Sequence, residues 1–284
     1  MENKKYKLTD KTIEVEGKTL YRIEALKDFC EIKKGDKGGF IASENNLAHE
    51  GDAWVSDDAC VYDNARVSGN ARVYGEALVY GSACVYGYAC VFDNACVYGN
   101  ARVSDNASVC SNARVYGDAW LYDNACVYVN ARVSDNARVC SNARVYGDAL
   151  VYDNARVSDN ASVSRYAQVH GNVWVYGYAR VSDNARVCGN ARVYGDALVR
   201  GDACVCGDAE ISTDADYIVF KNWWSSGRYF TWTRSNNMWS VGCFYGTGDE
   251  LVKKAYKDSS KSGRQYERIV KYVEETLKEE NGEQ

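Results

Sequence analysis

The chain has 284 residues, with 34 lysines and arginines set against 39 aspartates and glutamates, for a net charge of −5. That mild acidity offers no broad basic surface, which argues against nucleic acid as a partner. The opening residues 1–7 hold no apolar run, so neither a signal peptide nor a membrane span is expected, and the chain reads as cytoplasmic.

Residues 1–40 are expected to form an N-terminal β cap. Residues 13–23 read as a β-hairpin turning at Glu16, Gly17 and Lys18, and a second turn falls at residues 34–39. Ile41 and Leu47 then fall in phase with the inward positions of the repeat that follows.

Residues 41–216 are organised in sixes. Gly51-Asp52-Ala53-Trp54-Val55-Ser56 is followed by Asp57-Asp58-Ala59-Cys60-Val61-Tyr62, and the pattern runs to Gly207-Asp208-Ala209-Glu210-Ile211-Ser212. A fixed period sustained this long predicts a solenoid, in which each repeat buries its apolar side by stacking on its neighbours. Ala and Val stand two apart, so on a strand they share one face and point inward, while the residues flanking Val point outward. Gly, Asp or Ser followed by Asn or Asp supplies corners that tolerate positive φ. No lysine lies between Lys37 and Lys221, so the solenoid's cations are all arginine.

The alternation of Val61, Ala65, Val67 and Ala71 resembles the hexapeptide-repeat family. That resemblance implies a left-handed parallel β-helix with three hexads per triangular coil, and it suggests trimers. The fold class expected is mainly β: a solenoid between an N-terminal hairpin cap and a small C-terminal α+β module. With a strand spacing of about 4.8 Å per coil the rod is roughly 45 Å long. Val173 for the inward Ala, Leu121 for Val, Arg165-Tyr166 at one corner, and Tyr88 and Tyr178 at others are the departures. The whole arrangement also looks like a group of hexapeptide-repeat proteins of phage and prophage genomes.

Twelve cysteines and two histidines make neither a disulfide framework nor a zinc motif. No Cys-x-x-Cys occurs, and most cysteines, such as Cys60, Cys84, Cys96 and Cys126, stand at outward positions that hold Arg or Tyr elsewhere. At three hexads per coil, Cys188 and Cys206 alone are vertical neighbours. Free thiols, no metal and no cofactor are expected.

Two sets of residues are candidates for binding. Coils of about 18 residues stack Tyr62, Tyr80, Tyr98 and Tyr116 in one outward row that Tyr152 and His170 continue, with Arg114 and Arg132 on the same face. Such a row could stack bases or sugars, or simply support the sheet. Residues 101–130 and 131–160 are near copies, however, and 30 is not a multiple of the coil length. Duplication therefore moved each copy to a different face, which suits a spacer or platform.

Residues 217–284 break the period. Strands are expected at residues 217–220, 228–233 and 238–244, then helices after the capping boxes at Thr247–Glu250 and Ser262–Gln265. Trp223, Trp224, Arg228, Tyr229, Trp232, Trp239 and Tyr245 crowd into this module and are the binding candidates. Acyl transfer, which the family resemblance also implies, would use His49 or His170 as a base, but no inserted loop offers a pocket. The expected function is non-catalytic binding or scaffolding, with a protein as the expected partner and a small-molecule ligand as the second possibility. Phage counter-defence by mimicry or sequestration, and acyl transfer, are the alternatives.

Overall fold

Val and Ala at alternate positions produce three sheets of parallel rungs wound into one solenoid in the structure, a computed structural model that describes residues 4–280 and 282. Two sheets have nine strands; the third has twelve, of which three come from the N-terminal cap. Most rungs are two residues long, such as Arg102–Val103, and pair in register with the rung 18 residues away. The inward Ala and Val positions are buried throughout, Val173 and Leu121 included. Side chains this small let the three walls approach closely, and each pocket of the core is filled by the coil above and below.

The corners explain the polar half of the hexad. Their first residue has positive φ, as at Gly99 (φ 72°) and Asp105 (φ 58°). The Asp carboxylates accept N–H groups from the next coil, as Asp63 does from Gly81. The Asn that follows forms side-chain ladders: Asn106 donates to Asn124, Asn124 to Asn142 and Asn142 to Asn160 at 3.2–3.3 Å. Val129 is the exception. It is a β-branched residue at a corner with φ 65°, a conformation such side chains rarely adopt.

The cap hairpin pairs Tyr6–Val15 with Lys18–Ala25 across Glu16 and Gly17. A third strand, Lys37–Ile41, joins this hairpin to the solenoid sheet by pairing with Cys60–Val61. Ile41 and Leu47 are buried, in phase as expected. After Asp216 four antiparallel strands follow: Tyr217–Lys221, Tyr229–Thr233, Met238–Val241 and Phe244–Gly246. The last two were expected as one strand; Gly242 (φ 61°) turns the chain between them. Helix α1 spans Gly248–Asp258 and begins with the expected Thr247–Glu250 capping box. Helix α2 spans Ser260–Glu280, three residues earlier than its expected start. Ser259, not Ser262, supplies the cap, accepting from the Ser262 N–H at 3.1 Å. Ser262 and Gly263 are buried, and a Cβ on Gly263 would lie 2.3 Å from the Tyr256 ring. That close approach holds α1 against α2.

Both ends of the solenoid are closed by side chains that take the place of a missing coil. At the first coil, carbonyls need donors. The Lys5 ammonium donates to Gly51 O at 3.2 Å and Ala53 O at 2.7 Å, and the Asn46 amide donates to Asp63 O and Ala65 O. At the last coil, N–H groups need acceptors. Leu198 N–H reaches Asp214 Oδ1, Cys204 N–H reaches Thr231 Oγ1 at 2.8 Å, and Glu210 N–H reaches Ser235 Oγ at 2.7 Å. Unpaired groups at a sheet edge would otherwise recruit another chain.

Candidate functional site

The terminal sheet is covered on both faces. Phe230, Trp232 and Trp239 face the helices and pack with Trp224, Leu251, Tyr266 and Val270 in one core. Thr231 and Thr233 are buried on the opposite side, where Thr231 bonds the last coil. The binding candidates therefore divide. Trp224, Trp232 and Trp239 are interior, with Trp224 edge-on to Tyr266 and Phe230. Trp223 is 73% exposed, and Tyr229 and Tyr245 are each 41% exposed.

Tyr245 is a fastener as well. Its hydroxyl accepts from Asn236 Nδ2 at 3.1 Å, and its ring tip occupies the space above Gly207 where a Cβ would stand. Trp223 sits in a braced loop. Asn222 N–H donates to Arg228 O and Gly227 N–H to Asn222 O, each at 2.8 Å, while Asn222 Oδ1 accepts from Ser225. Lys221 lies 5.3 Å from the centre of the Tyr229 ring.

Arg228 lines two clefts. One, of about 300 Å³, runs between rod and module and includes Arg186, Asp202, Cys204 and Tyr229. The other, of about 220 Å³, lies between the sheet and the helices beside Asn222, Lys254, Asp258 and Tyr266. Among the described residues, neither Arg186 nor Arg228 has a carboxylate within 4.0 Å.

The tyrosine row exists but offers little to stack on. Tyr62, Tyr80, Tyr98 and Tyr116 lie ring on ring with centroids 4.9–5.1 Å apart and planes within 4°. Each inner ring has both faces occupied, and the cap's Lys18 lies over Tyr62. Ser134 interrupts the row before Tyr152 and His170, which stack at 4.8 Å. Burial, against the opposing pull of Asp153, lowers the affinity of His170 for a proton. His49 stacks on Tyr6 at 4.3 Å beneath the cap, 3.6 Å from Glu44. Burial, reinforced by Glu44, raises the Tyr6 pKa.

Two arrangements escaped the sequence reading. On another face the outward row runs Arg102, Trp120, Arg138, Arg156, Trp174, Arg192. Arg138 covers Trp120, and Arg156 and Arg192 flank Trp174 at 5.0 and 5.8 Å. Tracing the residue before Val at a stride of 18 would have found it. The second is a cysteine cluster. Cys188 and Cys206, expected as free thiols, are disulfide-bonded, because in-register rungs bring their Cα atoms to 4.6 Å. Cys204 joins them, since i and i+2 share the outward side of a strand.

The residues 59–73, 71–87, 95–111, 143–157, 151–171 and 185–201 match the YdcK β-solenoid repeat. No curated protein matches the sequence. A solved structure of an acetyltransferase candidate from Bacillus cereus aligns with 11% identity and a TM-score of 0.32, covering 70% of this chain and 96% of that one. Among the described residues no helix is long and apolar enough to cross a membrane. The matched repeats and the three-sided coils agree on a parallel β-solenoid built from six-residue units.

Proposed function

We propose that the chain is a non-catalytic binding protein, in which the rod acts as a platform and the terminal module recognises a protein partner. The observation that carries this reading is Trp223, the most exposed large apolar side chain among those described, held on the braced loop beside Tyr229, Arg228 and Lys221. An aromatic anchor already fixed in place loses little freedom on binding, and tryptophan, tyrosine and arginine dominate interface energetics. The uncompensated Arg186 and Arg228 favour a partner that presents carboxylates to the 300 Å³ cleft. Acyl transfer gains nothing from the geometry of His170, which lies in a stacked row without an adjoining loop. The phage-type readings rest on the resemblance alone.

The test is capture from bacterial lysate by the immobilised full chain, with W223A/Y229A and R138E/R156E compared and all three checked for folding. The reading expects W223A/Y229A to lose the retained partner and R138E/R156E to keep it. The reverse outcome moves recognition to the arginine–tryptophan face.

A further inference from the structure

The three cysteines at the end of the rod carry an inference independent of the binding role. Cys188 and Cys206 occupy successive rungs of one face, and Cys204 stands two residues before Cys206. Cys204 Sγ lies 3.6 Å from Cys206 Sγ, and the three sulfurs fall within 4.8 Å of one another. A thiolate-bound zinc ion has Zn–S distances of about 2.3 Å, which places tetrahedral ligand sulfurs about 3.8 Å apart. The Cys204–Cys206 edge is already near that length, and the Cys188–Cys204 edge is no longer than 4.8 Å. The third needs only the Cys188–Cys206 bond opened, so that its sulfurs separate by side-chain rotation.

The surroundings suit the charge. Arg186 is the in-register neighbour of Cys204 on the preceding rung and has no carboxylate partner among the described residues. The Cys204 N–H is held by Thr231, so the site sits where the terminal module docks. The other nine free cysteines, Cys30 to Cys140 and Cys243, form no comparable trio among the described residues.

We propose that Cys188, Cys204 and Cys206 form a three-thiolate site for a thiophilic divalent cation such as Zn(II) or Cd(II), open only when the Cys188–Cys206 disulfide is reduced. Reduction by a dithiol or a phosphine adds two electrons and two protons and gives two thiols. The cation then displaces three thiol protons and forms three metal–sulfur bonds, leaving a net charge of −1 on the site beside Arg186. A fourth position stays open to water. Soft thiolate donors select such ions over magnesium or calcium.

The experiment titrates Cd(II) into the phosphine-reduced full chain without oxygen, following sulfur-to-cadmium charge-transfer absorption. Wild type, C204S, C188S/C206S and the control C84S/C126S are compared, each checked for an unchanged β spectrum. One tight equivalent is expected in wild type and in the control. C204S should lose more affinity than the roughly 10- to 100-fold that removal of an outer-shell partner costs. Wild type re-oxidised to the disulfide should lose the tight equivalent as well. Tight binding that persists in C204S or in the oxidised chain overturns the site, as does its absence from the reduced wild type. Should C204S fail to fold, C188A alone serves, since the trio then lacks one ligand and the disulfide cannot form.

Discussion

At the scale of single residues, corners and buried ionic groups carry the testable consequences. Val129 holds φ 65° at a half-exposed corner whose Asn130 N–H donates to Gly147 O. Left-handed backbone costs a side chain about 1–2 kcal/mol, and the added chain entropy of glycine returns about 0.5–1 kcal/mol of that. V129G should therefore raise stability by up to about 1 kcal/mol, read as a higher denaturant midpoint with an unchanged slope. Lys5 is fully buried, and burial pulls its pKa down to about 8, against the opposing attraction of Asp52. Its proton is bound more tightly in the unfolded chain, so the penalty is complete below about pH 8. It is relieved as the pH rises from there toward the ordinary lysine range. Stability should thus rise through that window, and K5M should abolish this contribution. K5M should also cost about 1–3 kcal/mol at neutral pH, because the Ala53 carbonyl loses its donor. A pH–stability profile of both proteins measures the two effects together.

Among elements, the end closures matter most. Thr231→Val keeps the shape of the side chain but leaves the Cys204 N–H without its acceptor. The expected loss is about 1–3 kcal/mol, with faster hydrogen exchange at the last coil; an unchanged midpoint would mean that water replaces Thr231 without cost. At this scale the sequence was most readable where one residue type repeats. Ala and Val in alternation dictated the rungs, and Thr247 with Glu250 dictated the start of α1. It was least readable where a residue's role depends on its partner across space. Nothing local distinguishes Thr231, which closes the rod, from Thr233. Gly242 splitting one strand and Ser259 replacing Ser262 as a cap are similarly choices made by packing. The aromatic cluster was visible as composition, but only the sheet's two covered faces separate the buried Trp224, Trp232 and Trp239 from the exposed Trp223 and Tyr229.

For the whole molecule, the decisive feature is the contrast between a self-satisfied rod and a terminal module that leaves aromatic side chains exposed. Along the rod, stacked rings cover one another and corner amides bond from coil to coil. The exposed aromatics there, Tyr88, Tyr166, Tyr178 and Trp174, are spread among corners and rungs. At the terminal module, Tyr229 lines the cleft between rod and module, and the loop carrying Trp223 runs between Lys221 and the Arg228 that both clefts share. The arginine–tryptophan face is the competing surface, since its Arg102, Arg138 and Arg156 also have no carboxylate within 4.0 Å among the described residues.

Oxidative labelling of exposed aromatic side chains, with and without the captured partner, separates these surfaces most directly. Amide exchange would not serve, because rung amides are already protected by the ladder bonds. The terminal-module account predicts that Trp223, Tyr229 and Tyr245 become protected on binding, while Trp174, Tyr88 and Tyr178 label as before. Protection of Trp174 with continued labelling of Trp223 and Tyr229 would contradict it and place recognition on the flank of the rod.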